Sequence, residues 1–123
     1  MDNEINLLFN KSLDSLKSSE FNLNGNYYTV SINRSYYAVF YAAKALLLKK
    51  GKNPKTHSGT IAMFGLEYVL NDNFDKRINK ILSRLEDDRE SADYDFSFQS
   101  TEEKAKKDLE NAKIFIEECK KFL

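Results

Sequence analysis

At 123 residues, 31% charged and 41% hydrophobic, the chain fits one domain (residues 1–123) able to bury a core without staples. Nineteen basic and nineteen acidic residues cancel, which argues against broad, non-specific nucleic-acid binding. One cysteine excludes an internal disulfide and, with one histidine, the usual imidazole or thiolate metal sites, and one proline with four glycines favours long helices over many short strands.

The first predicted helix runs from about Asp2 to Ser19, with Ile5, Leu8, Phe9, Leu13 and Leu16 at helical spacing. "NLNGN" then breaks the chain. The second runs from about Asn26 to Lys50, and Gly51 in "GKNPKT" stops it. The third starts near Thr56 and carries Ile61, Phe64 and Tyr68. "NDN" separates it from a fourth with a stripe of Phe74, Ile78, Ile81, Leu82 and Leu85. After "YDFSFQS", Ser100 and Glu103 suggest a capping box for the fifth, which keeps Ala105, Leu109, Ala112, Ile116, Cys119 and Leu123 in a 4-3-4-3-4 rhythm. No run alternates long enough for a sheet. With short connections, the expected fold is all-α, an up-and-down bundle of four to five antiparallel helices.

The second helix poses the sharpest question. From Tyr36 to Leu48 it holds thirteen residues with one charge, Lys44, and three tyrosines. Around the helix, Ser31, Ser35, Ala38, Ala42 and Ala45 share one arc, spaced 4, 3, 4, 3. The other sides carry Tyr36, Phe40, Leu47, Tyr37, Tyr41, Leu48, Val39 and Leu46. A helix apolar all round must be buried all round. The small seam lets another helix approach closely. Complete burial of such a helix suggests a second subunit, so a homodimer using part of it is expected. Tyr36, Tyr37 and Tyr41 are read first as core rings whose hydroxyls find polar partners at the edge.

Two stretches are candidates for chemistry. "KTHSG" opens the third helix, where free N–H groups and the helix dipole favour an anion. Lys55, His57 and Ser58 would add donors, and Gly59 would let a ligand come close. Simple capping by Thr56 or Ser58 is the alternative. In "RESADYD", Arg89 falls on the inward stripe of the fourth helix, and a guanidinium there must be paired. Asp93, one turn on, is the first partner to consider, with Asp95, Tyr94 and hydroxyls of the second helix behind it. Either this is a structural ion pair or a fork facing a phosphate. A carboxylate metal site among residues 86–95 is opposed by Arg89 at its centre, so no metal or cofactor is expected. His57 is the only side chain whose unperturbed pKa suits acid–base work near neutrality.

The acidic start "MDNEINLLFNKS" lacks a basic n-region, and no run reaches the roughly 18 apolar residues of a membrane span. A cytoplasmic location without membrane association is expected. Basic residues exceed acidic ones before residue 86, and residues 86–123 carry twelve acids to seven bases.

"SYYAVFYAAKALLLKKG", "KTHSG", "RESADYD" and "TEEKAKKDLENAKIFIEECKKFL", in that order, resemble the HEPN domain family, over about Asn26 to Leu123. The resemblance implies a bundle of four or five helices, a homodimer, and a nucleotide or RNA ligand. Many HEPN proteins are paired with a minimal nucleotidyltransferase as toxin and antitoxin, and others are metal-independent ribonucleases. The ribonucleases carry an Arg, four to six residues, then a His. Here Arg89 is followed by Asp93 and Tyr94 without a histidine, and His57 lies on another helix. The expectation is therefore a non-catalytic HEPN protein that binds a nucleotide, RNA or a partner. Lys55, His57, Ser58, Arg89 and Asp93 would meet the ligand, with Tyr94 and Tyr37 as walls. A ribonuclease toxin using Arg89 and His57, and a scaffold with a structural polar core, are the alternatives.

Overall fold

The computed structural model describes residues 2–123. Among them lie five α-helices: α1 (Asn3–Asn24), α2 (Tyr28–Lys49), α3 (His57–Phe64), α4 (Lys76–Tyr94) and α5 (Glu102–Lys120). A π-helical stretch, Gly65–Leu70, prolongs α3. Side-chain contacts set the directions. Ser19 meets Ser31 while Ser12 meets Ala38, so α1 and α2 are antiparallel. Asn33 meets Asp93 and Tyr36 meets Arg89, so α4 opposes α2. Thr29 meets Ser100 and Lys49 meets Phe122, so α5 runs with α2. The long helices thus run up, down, up, down, with α3 and its π-helical continuation in the crossover from α2 to α4.

α1 outruns its expected end at Ser19 by more than a turn. Asn22 donates to the Ser18 carbonyl within the helix instead of breaking it, and Gly25 stops the chain before Asn26 at φ 67°. Gly51 does end the α2 region, at φ 73°, where a side chain would be strained. The Ser100 capping box is not formed. Thr101 is the N-cap of α5, its hydroxyl accepting from the Lys104 N–H, while Ser100 pairs with Thr29 at 2.7 Å. The threonine is better placed because its extended backbone aims the hydroxyl back at the first turn.

All five small residues of the α2 seam are fully buried. What faces them is a second small seam, Ser12, Ser15 and Ser19 on α1, also buried. Small residues on both helices bring the two backbones close. Each serine hydroxyl then needs a partner, since a buried unsatisfied one costs about 1–3 kcal/mol. Ser12 donates to the Ala38 carbonyl at 2.6 Å, and Ser19 lies 3.0 Å from the Ser31 hydroxyl and 2.7 Å from that of Ser35. The burial that the sequence assigned to a second copy is therefore supplied largely within one chain, by α1, α4 and α5.

The opposite end of the core is aromatic. Phe64, Tyr68, Phe74 and Phe115 pack ring on ring, with Phe122 at the edge. Tyr68 donates its hydroxyl to the Leu46 carbonyl. Phe74, expected on the fourth helix, precedes it. Asp75 is the N-cap there, accepting from the Arg77 and Ile78 N–H groups. No helix of the described residues is long and apolar enough to cross a membrane.

Candidate functional site

Arg89 follows Leu82 and Leu85 on the inner stripe of α4, so the helix carries its guanidinium inward; its side chain is only 9% exposed. Glu86 and Asp93 sit one turn before and after it on the same face. Arg89 donates from Nη2 to Glu86 Oε1. Its Nη1 is 3.9 Å from Asp93 Oδ2 and its Nη2 is 3.8 Å from Glu90. The guanidinium also lies over the Tyr36 ring, 5.2 Å from the centroid. Arg89 Nε is buried with no hydrogen-bond acceptor. Three carboxylates thus surround one guanidinium.

His57 reaches the same cluster from the first residue of α3. Its Nδ1 is 2.8 Å from the Tyr36 hydroxyl and 3.3 Å from Glu86 Oε2. A carboxylate only accepts, so the arrangement that satisfies these groups has Nδ1–H donating inward and the Tyr36 hydroxyl donating toward Glu86. That leaves Nε2 as the free acceptor of a ring that is 40% exposed. The imidazole is held flat against Phe40, with centroids 4.5 Å apart, and meets the Tyr37 ring edge-on at 5.9 Å.

Proton affinities follow from this packing. Burial, then the neighbouring Glu86 carboxylate, push the Tyr36 hydroxyl far above its ordinary range, so it stays neutral and donates. Burial works against the Glu86 carboxylate, but hydrogen bonds from Tyr36 and His57 and the charge of Arg89 outweigh it and hold Glu86 below the usual carboxylate value. Burial likewise opposes the charge on Arg89, and Glu86 reverses the effect.

Of the residues singled out in the sequence, Arg89, Asp93 and His57 come together, with Tyr37 beside the histidine. Tyr94 does not join them. It is 78% exposed at the C-terminal end of α4, turned away from the face that carries Arg89 and Asp93, and it walls nothing. Asp95 turns back on Ser97 instead of reaching Arg89. Lys55 and Ser58 are exposed at the mouth of α3. Thr56 is the cap there, accepting from the Gly59 N–H. A Cβ at Gly59 would come within 2.8 Å of the Thr56 hydroxyl, so this glycine serves the cap and not ligand approach. The sequence reading missed Glu86, the hub of the cluster. It looked one turn past Arg89 for a partner, and the same spacing rule applied one turn before it finds Glu86.

A second feature runs along the solvent side of α2. Arg34 lies over the half-buried Tyr37 ring at 5.0 Å, Lys11 of α1 over Tyr41 at 5.5 Å, and Lys44 over Phe40 at 5.7 Å. Among the described residues no group of three or more His, Cys, Asp or Glu side chains is placed to hold a metal ion.

Fold and cluster together define an all-helical bundle protein whose buried arginine on α4 is tied to a histidine at the start of α3 through a shared carboxylate. Residues 5–122 match the HEPN domain model, and the chain belongs to that family. It is similar to two proteins of Methanocaldococcus jannaschii, named "Putative toxin MJ0142" and "Putative toxin MJ0605". They are 36% and 35% identical over 120 residues, which is 98% of this chain and 82% and 89% of theirs. It is also 34% identical over 93 residues to a UPF0332 protein of Thermotoga maritima, covering 76% of this chain and 70% of that one.

Proposed function

We propose that this protein is a toxin-type HEPN protein that binds single-stranded RNA along the solvent side of α2, beside His57, without cleaving it. The observation that carries this reading is the row of partly buried rings, Tyr37 and Tyr41, each with a cation over its face. Aromatic faces flanked by basic side chains suit unpaired bases and the phosphates between them. Lys55, exposed next to His57, extends the basic edge. Arg89 is a poor phosphate ligand, because an incoming anion would meet Glu86, Glu90 and Asp93 around it. Its role is to hold Glu86, and through Glu86 the imidazole.

Fluorescence anisotropy with a labelled single-stranded oligoribonucleotide tests this. The wild type should bind more weakly as salt rises, and Tyr37→Ala should lose about tenfold in affinity, the weight of one stacked base of about 1–3 kcal/mol. Absence of binding by the wild type in low salt at high protein concentration would sink the proposal. The toxin names of the relatives imply a neutralising partner. For this chain a minimal nucleotidyltransferase is the candidate, and copurification from the native host checks it. The rings left at the surface of α2 would also serve a second copy of the chain, which light scattering would reveal.

One observation favours cleavage as a second reading. Glu86 and Tyr36 hold His57 Nδ1 and leave Nε2 facing out, the arrangement of an oriented general base. Incubation with RNA in EDTA decides between the two. Cleavage by the wild type that is lost in His57→Gln would replace the binding-only reading with a metal-independent ribonuclease.

A further inference from the structure

On the α4–α5 side of the bundle a cavity of about 410 Å³ is lined by Arg84, Leu85, Asp87, Asp88, Lys104, Lys107, Asp108 and Asn111, all from α4 or α5. Asp108 is 2% exposed there, and its Oδ2 is buried without a hydrogen-bond donor. Lys104 pairs with Asp88 at 3.1 Å, not with Asp108. A buried carboxylate oxygen with no donor is costly, so something unseen must satisfy it.

Two occupants compete, a divalent cation and a proton. A hard cation needs several oxygen ligands. Three carboxylates, Asp87, Asp88 and Asp108, line the cavity, but three cations, Arg84, Lys104 and Lys107, line it too, and among the described residues no three acids are grouped to hold a metal ion. A proton needs only one acceptor beside the acid, and Asp88 supplies it. We propose that Asp88 and Asp108 share one proton as an acid–carboxylate pair, a pH-sensitive latch that clamps α5 to α4.

The charged groups facing the pair from α4 are Arg84 and Asp87, and those from α5 are Lys104 and Lys107. Burial first, then the hydrogen bond and charge of Asp88, push the Asp108 carboxyl up to about 8, with Lys104 and Lys107 opposing. The sign follows. An acid whose folded value lies above its unfolded value binds its proton more tightly in the folded state. The stabilisation is complete below about pH 3.9 and is lost as pH rises to about 8, beyond which the profile is flat. Glu86, held below its ordinary value, acts only in the acid range. Across pH 5–8 the latch therefore stands apart from the Glu86–Arg89 cluster on the α2 side of the same helix.

The test is urea unfolding of the full chain from pH 5 to 9. The wild-type midpoint should fall across pH 5–8 and then level. Asp108→Asn, which keeps the size of the group and a donor toward Asp88, should abolish the fall. An unchanged slope in that variant, or no slope in the wild type, would overturn the latch. Should Asp108→Asn fail to fold, carboxyl-carbon NMR of the wild type decides: one aspartate titrating above pH 7 is expected, moving to lower pH in Asp88→Asn. All aspartates titrating below pH 5 would refute the proposal. So would magnesium or calcium chloride, at constant ionic strength, raising the wild-type midpoint and not that of Asp108→Asn, since the cavity would then hold a metal.

Discussion

The two sides of α2 solve the same problem in opposite ways. Toward α1, the seam of Ser31, Ser35, Ala38, Ala42 and Ala45 meets Ser12, Ser15 and Ser19, and the hydroxyls of Ser12, Ser19, Ser31 and Ser35 are bonded to neutral hydroxyls or carbonyls at 2.6–3.0 Å. Toward α4, large rings keep the helices apart, and the space between them holds Arg89, Glu86 and His57. Close approach leaves room only for small neutral groups that the neighbouring backbone can satisfy. Wider spacing admits charge, and charge must then be paired. The first contact can do little but hold the fold. The second keeps an imidazole edge at the surface.

The largest test of that difference is to unpair the charged side. Arg89→Ala should cost about 3–5 kcal/mol in urea unfolding, because Glu86 is left without its cation. The double variant Arg89→Leu with Glu86→Leu should recover most of that loss. If the single variant costs less than about 1 kcal/mol, Arg89 is not what makes the Glu86 charge tolerable between α4 and α2. Overfilling the tight side comes next. Ser35→Leu should cost about 1–3 kcal/mol by forcing α1 away from α2, and a neutral result would mean the seam is looser than its buried serines indicate.

Ser19→Ala should cost about 1–2 kcal/mol, since the Ser31 and Ser35 hydroxyls both lose a neighbour. The smallest effect is electrostatic and falls in acid. Glu86 is held below its ordinary value, so its contribution is present above about pH 4.3 and is lost as pH falls through the depressed value. Replacing Arg89 with Leu removes part of the cause, so loss of this contribution should begin at higher pH than in the wild type. Acid unfolding followed by circular dichroism reads that displacement.

Much of this architecture was legible in the residues. The helical spacing of Phe64, Tyr68, Ile81, Leu82, Leu85, Leu109, Ala112, Ile116 and Cys119 places each on the core side. The α2 seam was also visible, because five small residues in helical register have few other uses. The partner seam on α1 was not read. Its serines are polar by composition, and they share one buried face with Ile5, where only the apolar residues carry a hydropathy signal. Asp108 was hidden for the same reason, as a charged residue following two lysines, although its helical neighbours Ala105 and Ala112 are buried.

The order of the residues along the chain by itself determined which stretches are helical and that Arg89 points inward, because both depend on spacing within one helix. Only the tertiary structure decided that His57 meets Glu86 across 29 residues, that Tyr94 stands free, and that Asp88 and Asp108 line one cavity. Those facts depend on how far apart helices pack and how they are rotated about their axes. Periodicity within one helix carries no information about either.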